Sequence, residues 1–570
     1  MLVFGDAADT VEVGTRLDEI VRRGRLAADM PPPQQGWLAA ECFIDAAALA
    51  QGLIDQEFAI SGEDRDSPLR QAATALVLAA ARLVAGCADP QELAGAREAL
   101  AALDLPASLR CKRAEGYAFY ALYPEAYLLA ARQLPAPPAA IIGIRSIGLG
   151  LAALLAAASG SRELLSVRPV GHPFQRRLSL DPAYRIRLGP ASGPVAIADE
   201  GPGLSGSSFA AVADELAAME VSEARIHLFP SHGGKPGAEA SPANLARWHR
   251  LRRHVVGFEE LFLAPSSPLP RLDTWFADVA GAAVAPLEAI SGGGWRRLAA
   301  WREGEPPAHL QQERLKFRLH TERGACLLKF AGLGRSGREA ASRAEALGAA
   351  GFTPPMLAFR HGFLLAEWVE GTPLGESRFS RADLVARLAD YLGFRARHLP
   401  AGPETGATID ELAEMLRVNG LEGLGPAAAP ALERLAALRP AYAGRRVMTD
   451  NRLHAWEWLV ASDGRLLKTD AVDHCAAHDL IGCQDIAWDV AGAAVELALS
   501  EAERGELLSR LRRQDVEVDP ALLAFFDNCY PAFQLGYYTM AAAAHAGVPE
   551  EQVRLQVRAG FYRDRLAGRL

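Results

Sequence analysis

The sequence is poor in cysteine and has no excess of basic residues. Seven cysteines are spread over 570 residues and form no Cys-x-x-Cys pair, which argues against a disulfide framework or a zinc ribbon. Lys and Arg number 60 against 69 Asp and Glu, a net charge of −9. This balance disfavours nucleic acid or an anionic membrane surface as the main partner. We therefore expect small-molecule substrates.

Long apolar runs and a basic leader are also missing. The alanine-rich stretch 72–85 is too short to cross a bilayer and is bounded by charges. The first residues have neither a basic start nor the apolar core of a signal peptide, so we expect a cytoplasmic protein. At 570 residues the chain exceeds what one hydrophobic core supports, and several domains are expected.

The most informative stretch is residues 195–209. An apolar run that predicts a buried strand ends in Asp199 and Glu200. A loop follows and leads into a helical pattern, and its glycines and serines are Gly201, Gly203, Ser205, Gly206, Ser207 and Ser208. Free amides at a helix N-terminus favour a phosphate group, and carboxylates accept hydrogen bonds from vicinal hydroxyls. This pattern indicates a site for a phosphorylated sugar.

This layout resembles the loop of type I phosphoribosyltransferases that binds phosphoribosyl pyrophosphate (PRPP). The resemblance implies that Asp199 and Glu200 hold the ribose hydroxyls and that Ser205–Ser208 hold the 5′-phosphate. One extra residue separates the acids from the serine-rich end, so a relative of PRPP is an alternative ligand. The resemblance also implies Mg²⁺ between pyrophosphate and ribose oxygens.

A second segment supports the same interpretation. Residues 139–144 predict a buried parallel strand, and Arg145, Ser146 and Gly148 follow it. In the phosphoribosyltransferases a short loop of this kind binds pyrophosphate, with charge from the arginine and donors from the amides and serine. The rival interpretation takes Gly148-x-Gly150 as a dinucleotide fingerprint, for which Arg168 on the next strand would favour NADP.

Further candidates should face the same crevice. Arg168 and His172 lie at or just after the second predicted strand, and His232 follows the strand that comes after the helix from 209. In open α/β sheets, ligands bind beyond the carboxyl ends of the strands. These three residues are candidate substrate contacts.

The C-terminal part carries a different pattern. Residues 316–320 and 326–330 predict a β-hairpin, a helix over 338–349 follows, and a later strand runs into Glu367-Trp368-Val369. This order resembles the N-lobe of aminoglycoside phosphotransferases and choline kinases. The resemblance implies that Lys329 contacts the ATP phosphates and pairs with Glu345 or Glu339. It implies too that Glu367 and Val369 meet the adenine.

The catalytic segments of that family also have counterparts. The resemblance makes Asp450 the base that receives the acceptor proton and Asp470 a magnesium ligand. The family's His-Gly before the base is Met448-Thr449 here, and its metal-binding Asn is Ala455. Asn451, His454 and Glu457 are the candidate substitutes for that Asn.

We therefore expect an α/β multidomain protein. Its predicted parts are a helical region over 1–135, a parallel-sheet phosphoribosyltransferase-like domain over 136–265, a linker over 266–295, a kinase-like N-lobe over 296–375 and a helical C-lobe over 376–570. The predicted function is a phosphoribosyltransferase coupled to an ATP-dependent kinase-like domain acting on a nucleoside-like metabolite. The alternatives are a non-catalytic sensor of nucleotide or PRPP, and an NADP-binding protein. The N-terminal helices or the sheet domain are candidate homodimer surfaces.

Overall fold

A computed structural model describes residues 1–87, 89–190, 192–302, 304–441 and 444–570. The protein is a mixed α/β, multidomain chain that divides into two compact units. The N-terminal unit comprises Ala8–Trp275 and Gly332–Arg335, and the C-terminal unit comprises Met1–Ala7, Phe276–Ala331 and Ser336–Leu570. Each unit contains one of the two predicted sites.

The N-terminal unit combines helices with a parallel sheet. Its strands are β1 (Ala8–Glu12), β2 (Ser108–Lys112), β3 (Ala140–Ile144), β4 (Leu164–Val167), β5 (Val170–His172), β6 (Gln175–Arg177), β7 (Val195–Ala198), β8 (Ile226–Phe229) and β9 (Arg252–Arg253). Its helices are α1 (Val13–Ala28), α2 (Gln34–Ser61), α3 (Pro68–Val84), α4 (Pro90–Ala101), α5 (Glu115–Phe119), α6 (Pro124–Ala131), α7 (Gly148–Ser159), α8 (Pro182–Leu188), α9 (Ser207–Ala218), α10 (Pro242–Arg250) and α11 (Phe258–Phe262).

The parallel sheet has the strand order β4-β3-β7-β8-β9. Every residue of β3, β4, β7 and β8 is buried, as expected for parallel strands covered on both faces. Gly143 of β3 pairs with Ser166 of β4 and with Ala198 of β7. The loops after these three strands therefore begin at the same edge of the sheet, and β5 and β6 form a separate two-stranded ribbon.

The N-terminal helices belong to the same compact unit as the sheet, and a domain boundary at residue 135 stays a prediction. Their ends follow local rules, since the Ser67 hydroxyl caps α3 and Pro68 occupies its first turn. Helix α2 is long and apolar enough to cross a membrane, but 67% of its most apolar window is buried within the protein. A core helix meets the same criteria.

The C-terminal unit has two antiparallel sheets and a set of helices. Its strands are β10 (Glu288–Ala289), β11 (Lys316–Thr321), β12 (Gly324–Phe330), β13 (Met356–Arg360), β14 (Phe363–Glu367), β15 (Gly371–Pro373), β16 (Trp458–Ala461) and β17 (Leu466–Lys468). Its helices are α12 (Ala277–Ala280), α13 (Gly334–Ala349), α14 (Arg381–His398), α15 (Ile409–Leu424), α16 (Ala429–Ala437), α17 (Ala487–Glu496), α18 (Glu501–Arg512), α19 (Pro520–Ala544) and α20 (Pro549–Ala567).

The predicted hairpin is confirmed as β11 and β12, in a sheet with the order β10-β11-β12-β14-β13. The segment 266–295 that is predicted as a linker contains regular structure, the short helix α12 and strand β10. Strand β10 lies within it and pairs with β11 through Glu288–Arg318 and Ala289–Phe317. The Gly and Pro content of this segment marks turns around a short edge strand, so composition alone overestimated its freedom.

The second sheet, β15-β16-β17, delivers the candidate acids. Strands β16 and β17 form a hairpin whose turn contains Asp463 and Gly464, and Gly464 has a φ of 86°. This left-handed conformation suits glycine. Asp470 lies two residues beyond the end of β17, while the helices from α14 onward enclose a large apolar core.

Candidate functional site

In the C-terminal unit, two lysines from neighbouring strands converge on one carboxylate. Lys316 and Lys329 are direct cross-strand partners on β11 and β12. Lys329 Nζ lies 2.7 Å from Asp470 Oδ1, and Lys316 Nζ lies 3.5 Å from Asp470 Oδ2. Like charges directly opposite each other destabilise a strand pair, so Asp470 also neutralises a repulsion within the sheet.

Lys329 has a second acidic partner. Its Nζ lies 2.5 Å from Asp473 Oδ2, and both side chains are buried. Burial opposes ionisation of Asp470 and Asp473, but the adjacent Lys329 charge holds the pKa of both carboxyls below the ordinary value. The site is therefore a buried cluster of ionised groups.

Of the two helix acids expected to pair with Lys329, Glu345 does not do so. Glu345 is exposed on α13, and among the described residues the ion pairs of Lys329 are those with Asp470 and Asp473. Helix α13 instead buries Arg343, whose Nε donates to the Val472 carbonyl at 2.8 Å. The pairing between Lys329 and Glu345 was wrong because helical spacing alone did not say which face of α13 is buried.

The loop that carries Asp450 is fixed through its backbone. The amides of Asp450 and Asn451 donate to the two carboxylate oxygens of Asp489, at 2.7 and 2.9 Å. Asp489 lies in the first turn of α17, and Asn451 has a φ of 66°. One buried carboxylate thus orients the whole turn.

The Asp450 carboxylate is itself surrounded by donors. The Tyr391 hydroxyl donates to it, and Lys468 Nζ, His474 Nδ1 and Arg395 lie 3.5, 3.6 and 3.9 Å away. Its side chain is fully buried. Burial opposes ionisation, but the charge of Lys468 and the hydrogen bond with His474 keep the pKa of Asp450 below its ordinary value. Asp450 is therefore ionised and closely held.

Of the three candidate substitutes for the missing Asn, Glu457 is the one whose side chain is grouped with Asp450 as a possible metal ligand. The side-chain Nδ2 of Asn451 donates to the Gly482 carbonyl at 2.8 Å, and His454 Nδ1 lies 2.8 Å from Glu496 Oε2. Glu457 belongs instead to a group with Asp450 and His474 whose ligand atoms all lie within 4.8 Å of one another. Its Oε2 accepts a hydrogen bond from Lys468 Nζ at 2.7 Å.

The predicted adenine contacts end the N-lobe sheet. Glu367 is the last residue of β14 and is exposed, while Val369 is half-buried. The Glu367 amide donates to the Pro355 carbonyl at 3.0 Å. Both residues lie on the connection between β14 and β15, where one sheet leads into the other.

In the N-terminal unit, the acid pair at the end of β7 has a very different environment. Asp199 is 9% exposed, and its Oδ1 accepts the Glu200 amide at 2.8 Å. Burial raises the pKa of Asp199 to about 7 and that of Glu200 to about 8. No lysine or arginine ion pair of either carboxyl occurs within the described ranges.

Residues of α5 and α6, which precede the sheet in the chain, pack against this pair. A Cβ on Gly116 of α5 would lie 3.0 Å from Glu200 Cδ, so a glycine permits the approach. The Tyr127 hydroxyl donates to the Asp199 carbonyl at 3.0 Å. Tyr117 is buried, and its hydroxyl has no hydrogen-bond partner in the part of the chain that the structure describes. Desolvation by these neighbours explains the raised pKa values.

The serine-rich loop after the acids contacts the ribbon of β5 and β6. Gly203 and Gly206 have φ values of 61° and 65°, which the turn requires. Ser205 Oγ lies 2.9 Å from Ser207 Oγ, and the Ser207 hydroxyl donates to the Pro173 carbonyl at 2.8 Å. A phosphate at the start of α9 would replace that carbonyl at Ser207.

The arginine of the predicted pyrophosphate loop is not available as an anion contact. Arg145 is buried, and its guanidinium lies 2.6 Å from both Asp55 and Asp64. A role for its side chain in binding pyrophosphate is therefore contradicted. Ser146 is half-buried, and its carbonyl accepts the Gln51 amide at 2.6 Å.

Gly148 has a packing role. It begins α7, three residues earlier than the pattern indicated, and a Cβ there would lie 2.5 Å from the Ala198 carbonyl oxygen. The residue immediately before Asp199 therefore packs against this glycine. Only glycine permits so close an approach between the two loops.

Of the three further candidates, Arg168 is the one held in place. Its guanidinium pairs with Asp55, and its Nη1 donates to the Arg145 carbonyl at 2.8 Å. The positive charge of Arg168 that the NADP alternative requires is therefore already paired with Asp55. His172 lies exposed on β5, and His232 is exposed beyond β8, where its Nδ1 accepts the Gly234 amide at 3.1 Å.

Comparison with known proteins gives a partial picture. No protein-family model and no curated protein matches the sequence. A choline kinase structure from Streptococcus pneumoniae is 15% identical, covering 44% of this chain and 89% of that one, with a TM-score of 0.31. A choline/ethanolamine kinase family protein from Mesorhizobium loti is 14% identical, with coverages of 51% and 92% and a TM-score of 0.33.

A putative aminoglycoside phosphotransferase from Ralstonia eutropha is 13% identical, covering 52% of this chain and 97% of that one, with a TM-score of 0.32. About half of this chain thus overlaps most of each kinase. Because the TM-scores are low, the proposals below depend on the contacts of this chain alone.

Sequence reasoning missed several participants, among them Lys316, Lys468, Asp473 and Tyr391. A signal existed for two of them. Lys468 interrupts an apolar strand two residues before Asp470, and Lys316 opens the strand opposite Lys329. A charged residue in a buried strand implies a partner. Tyr391 comes from the distant helix α14 and had no local signal.

Proposed function

We propose that the C-terminal unit binds ATP and transfers its terminal phosphoryl group to a hydroxyl of a small molecule. The observation that carries this proposal is the convergence of Lys329, Asp470 and Asp450 at the ends of β12 and β17. Lys329 Nζ lies 2.7 Å from Asp470 Oδ1, and His474 lies within 3.6 Å of Asp450 and 3.8 Å of Asp470. Positioning and electrostatics supply most of the catalysis of phosphoryl transfer.

In this proposal each charged group has a separate task. Lys329 and Lys316 attract the phosphates. Asp450 lies in a turn fixed by Asp489 and orients the acceptor hydroxyl, whose proton it receives. Asp470 keeps 18% of its side chain exposed and is an oxygen donor that suits Mg²⁺. A magnesium ion there would offset phosphate charge.

Isothermal titration with ATP and Mg²⁺, followed by an assay of ADP formation with a pool of hydroxyl acceptors, tests this proposal. We expect Asp470→Asn to lose ATP binding and Asp450→Asn to keep binding but lose turnover. Asp463→Asn, an equivalent change in the exposed turn before β17, is the control. Normal ATP binding by Asp470→Asn would reject the arrangement.

A second candidate is a sensor that binds the nucleotide without turnover. The full burial of Asp450 and its contacts with Tyr391 and Lys468 favour it, because an acceptor hydroxyl must displace one of these neighbours. ATP binding without ADP formation over hours, in the presence of the acceptor pool, would support the sensor.

For the N-terminal unit, we propose a site for PRPP or a related ribose phosphate, used in phosphoribosyl transfer. The acid pair at the end of β7, next to the turn that opens α9, supports it. Carboxyls that form no ion pair with lysine or arginine, as is true of this pair within the described ranges, are suited to hydrogen bonds with a ribose diol. A phosphate would lie at the α9 N-terminus.

Titration with PRPP and Mg²⁺, together with an assay of pyrophosphate release, tests this second site. Asp199→Asn should lower PRPP affinity at least tenfold. Asp214→Asn, on the exposed face of α9, should leave it unchanged. Equal affinity of Asp199→Asn and the unaltered protein would reject the ribose pose.

A further inference from the structure

The ammonium group of Lys468 occupies an unusual position in the C-terminal unit. Lys468 is the last residue of β17, and its side chain is fully buried. Its Nζ lies 2.7 Å from Glu457 Oε2 and 3.5 Å from Asp450 Oδ1, and it also donates to the Asp470 carbonyl. The lysine therefore places a positive charge between two carboxylates and a carbonyl oxygen.

The same oxygens are those that a divalent cation would use. Asp450 and Glu457, with His474, form a group whose ligand atoms all lie within 4.8 Å of one another. Hard divalent cations such as Mg²⁺ and Mn²⁺ prefer carboxylate and carbonyl oxygens. Without Lys468, this group would be a metal site by composition and spacing.

A metal ion and the ammonium group exclude each other here. Both would bind the same Asp450 and Glu457 oxygens, and a divalent ion between them would lie within a few ångströms of Nζ, where like charges repel strongly. Asp470, two residues beyond β17, has its own cations in Lys329 and Lys316. The charge of the Asp450 and Glu457 pair is thus balanced by a residue of the chain.

We propose that Lys468 is a built-in cation that replaces a divalent ion between Asp450 and Glu457. The nucleotide site of the C-terminal unit then uses a divalent cation at Asp470 and none at Glu457. The part of this inference that concerns the nucleotide rests on the proposed ATP site, whereas the exclusion of metal from Glu457 does not.

Mn²⁺ binding to the full chain, counted by electron paramagnetic resonance of the free ion, tests the inference. We expect Lys468→Met to bind one more Mn²⁺ per chain than the unaltered protein. The double variant Lys468→Met/Glu457→Gln should lose that additional ion. Lys235→Met, which removes an exposed lysine of the N-terminal unit, is the matched control and should gain none.

A second variant keeps the test decisive if Lys468→Met does not fold. Glu457→Gln alone should leave the number of bound Mn²⁺ ions unchanged, because Lys468 already excludes the metal. Loss of one Mn²⁺ in Glu457→Gln would overturn the inference, as would a folded Lys468→Met that gains no ion.

ATP titrations on the same samples separate the two proposals. If ATP does not bind, the proposed nucleotide site fails, while the Mn²⁺ counts still decide the role of Lys468. If ATP binds and the counts contradict the expectation, only the inference about Lys468 fails.

Discussion

The two units place carboxylates at the ends of strands in opposite electrostatic settings. Asp199 and Glu200 in the N-terminal unit form no ion pair with a lysine or arginine among the described residues, and burial raises their pKa to about 7 and about 8 although the charges of Arg168 and Lys112 act in the opposite direction. Asp450 in the C-terminal unit is fully buried and Asp470 keeps 18% of its side chain exposed, but both lie against lysines, which lower their pKa. Similar residues at similar positions thus differ in charge because of their neighbours.

This difference separates the chemistry that each site supports. Carboxyls that are partly protonated near neutral pH can both donate and accept hydrogen bonds, which suits a sugar diol. Ionised carboxylates among lysines form a charged frame that suits phosphates and a proton acceptor. Four measurements on variants of the protein test this difference.

Asp199 and Glu200 should give the unfolding of the N-terminal unit a pH dependence opposite in sign to the one that Asp450 and Asp470 give the C-terminal unit, where the raised pKa of Asp489, about 7, acts against them. Between pH 4 and pH 8 the folded N-terminal unit binds more protons than the unfolded chain, because the pKa values of Asp199 and Glu200 are raised to about 7 and about 8. Its free energy of unfolding should therefore fall as pH rises, by on the order of 4 kcal/mol for each carboxyl. The C-terminal unit should instead lose stability as pH falls below about 4.

Urea unfolding across this pH range measures both slopes. Asp199→Asn/Glu200→Gln should flatten the decline between pH 4 and pH 8, and Asp214→Asn should leave it unchanged. An equally steep decline in the double variant would show that other groups cause it.

Removing Lys329 should destabilise the C-terminal unit. Lys329→Met leaves Asp470 and Asp473 buried without their closest cation. Loss of one partner from a buried ion pair costs about 3–5 kcal/mol. The free energy of unfolding in urea checks this value, with Lys235→Met as the control. A loss below about 1 kcal/mol would mean that the cluster is well hydrated.

Gly148→Ala should lower the stability of the N-terminal unit, because the added side chain at the start of α7 would clash with the end of β7. The added methyl would lie 2.5 Å from the Ala198 carbonyl, and overpacking of this kind costs about 1–3 kcal/mol. Thermal unfolding measures the effect. Gly95→Ala, within α4 where a Cβ contacts nothing within 4 Å, should instead stabilise the protein by about 0.5–1 kcal/mol.

The smallest effect is expected for Glu345→Gln. Because Glu345 is exposed on α13 and Lys329 pairs elsewhere, its loss should change stability by less than about 0.5 kcal/mol. ATP affinity should be unchanged in calorimetry. A tenfold loss of affinity would restore the pairing between Lys329 and Glu345 that the resemblance implied.

Part of the fold and of both sites was predictable from local patterns. Apolar runs located β3 and β7, and the alternation of buried residues located β11 and β12. The turn that opens α9 followed from its glycines and serines. The linker over 266–295 was less predictable, because a two-residue edge strand such as β10 leaves no periodic signal.

The sites were less predictable because their partners come from distant segments. Arg145 is neutralised by Asp55 of α2 and by Asp64 just beyond it, and nothing near Arg145 in the sequence announces these acids. Tyr391, from α14, reaches Asp450 across 59 residues. Helical spacing also did not indicate that Arg343 lies on the buried face of α13.

The sequence by itself determined which strands end in acids, which loops can turn and where helices begin, because these depend on local backbone preference and apolar spacing. Tertiary structure decided which acids are charged. Desolvation and neighbouring charges act through space, and the fold places Asp199 among tyrosines but Asp470 among lysines. The ammonium of Lys468 between Asp450 and Glu457 is likewise a product of folding, since the hairpin of β16 and β17 brings Lys468 to Glu457 while Asp489 of α17 holds the turn of Asp450.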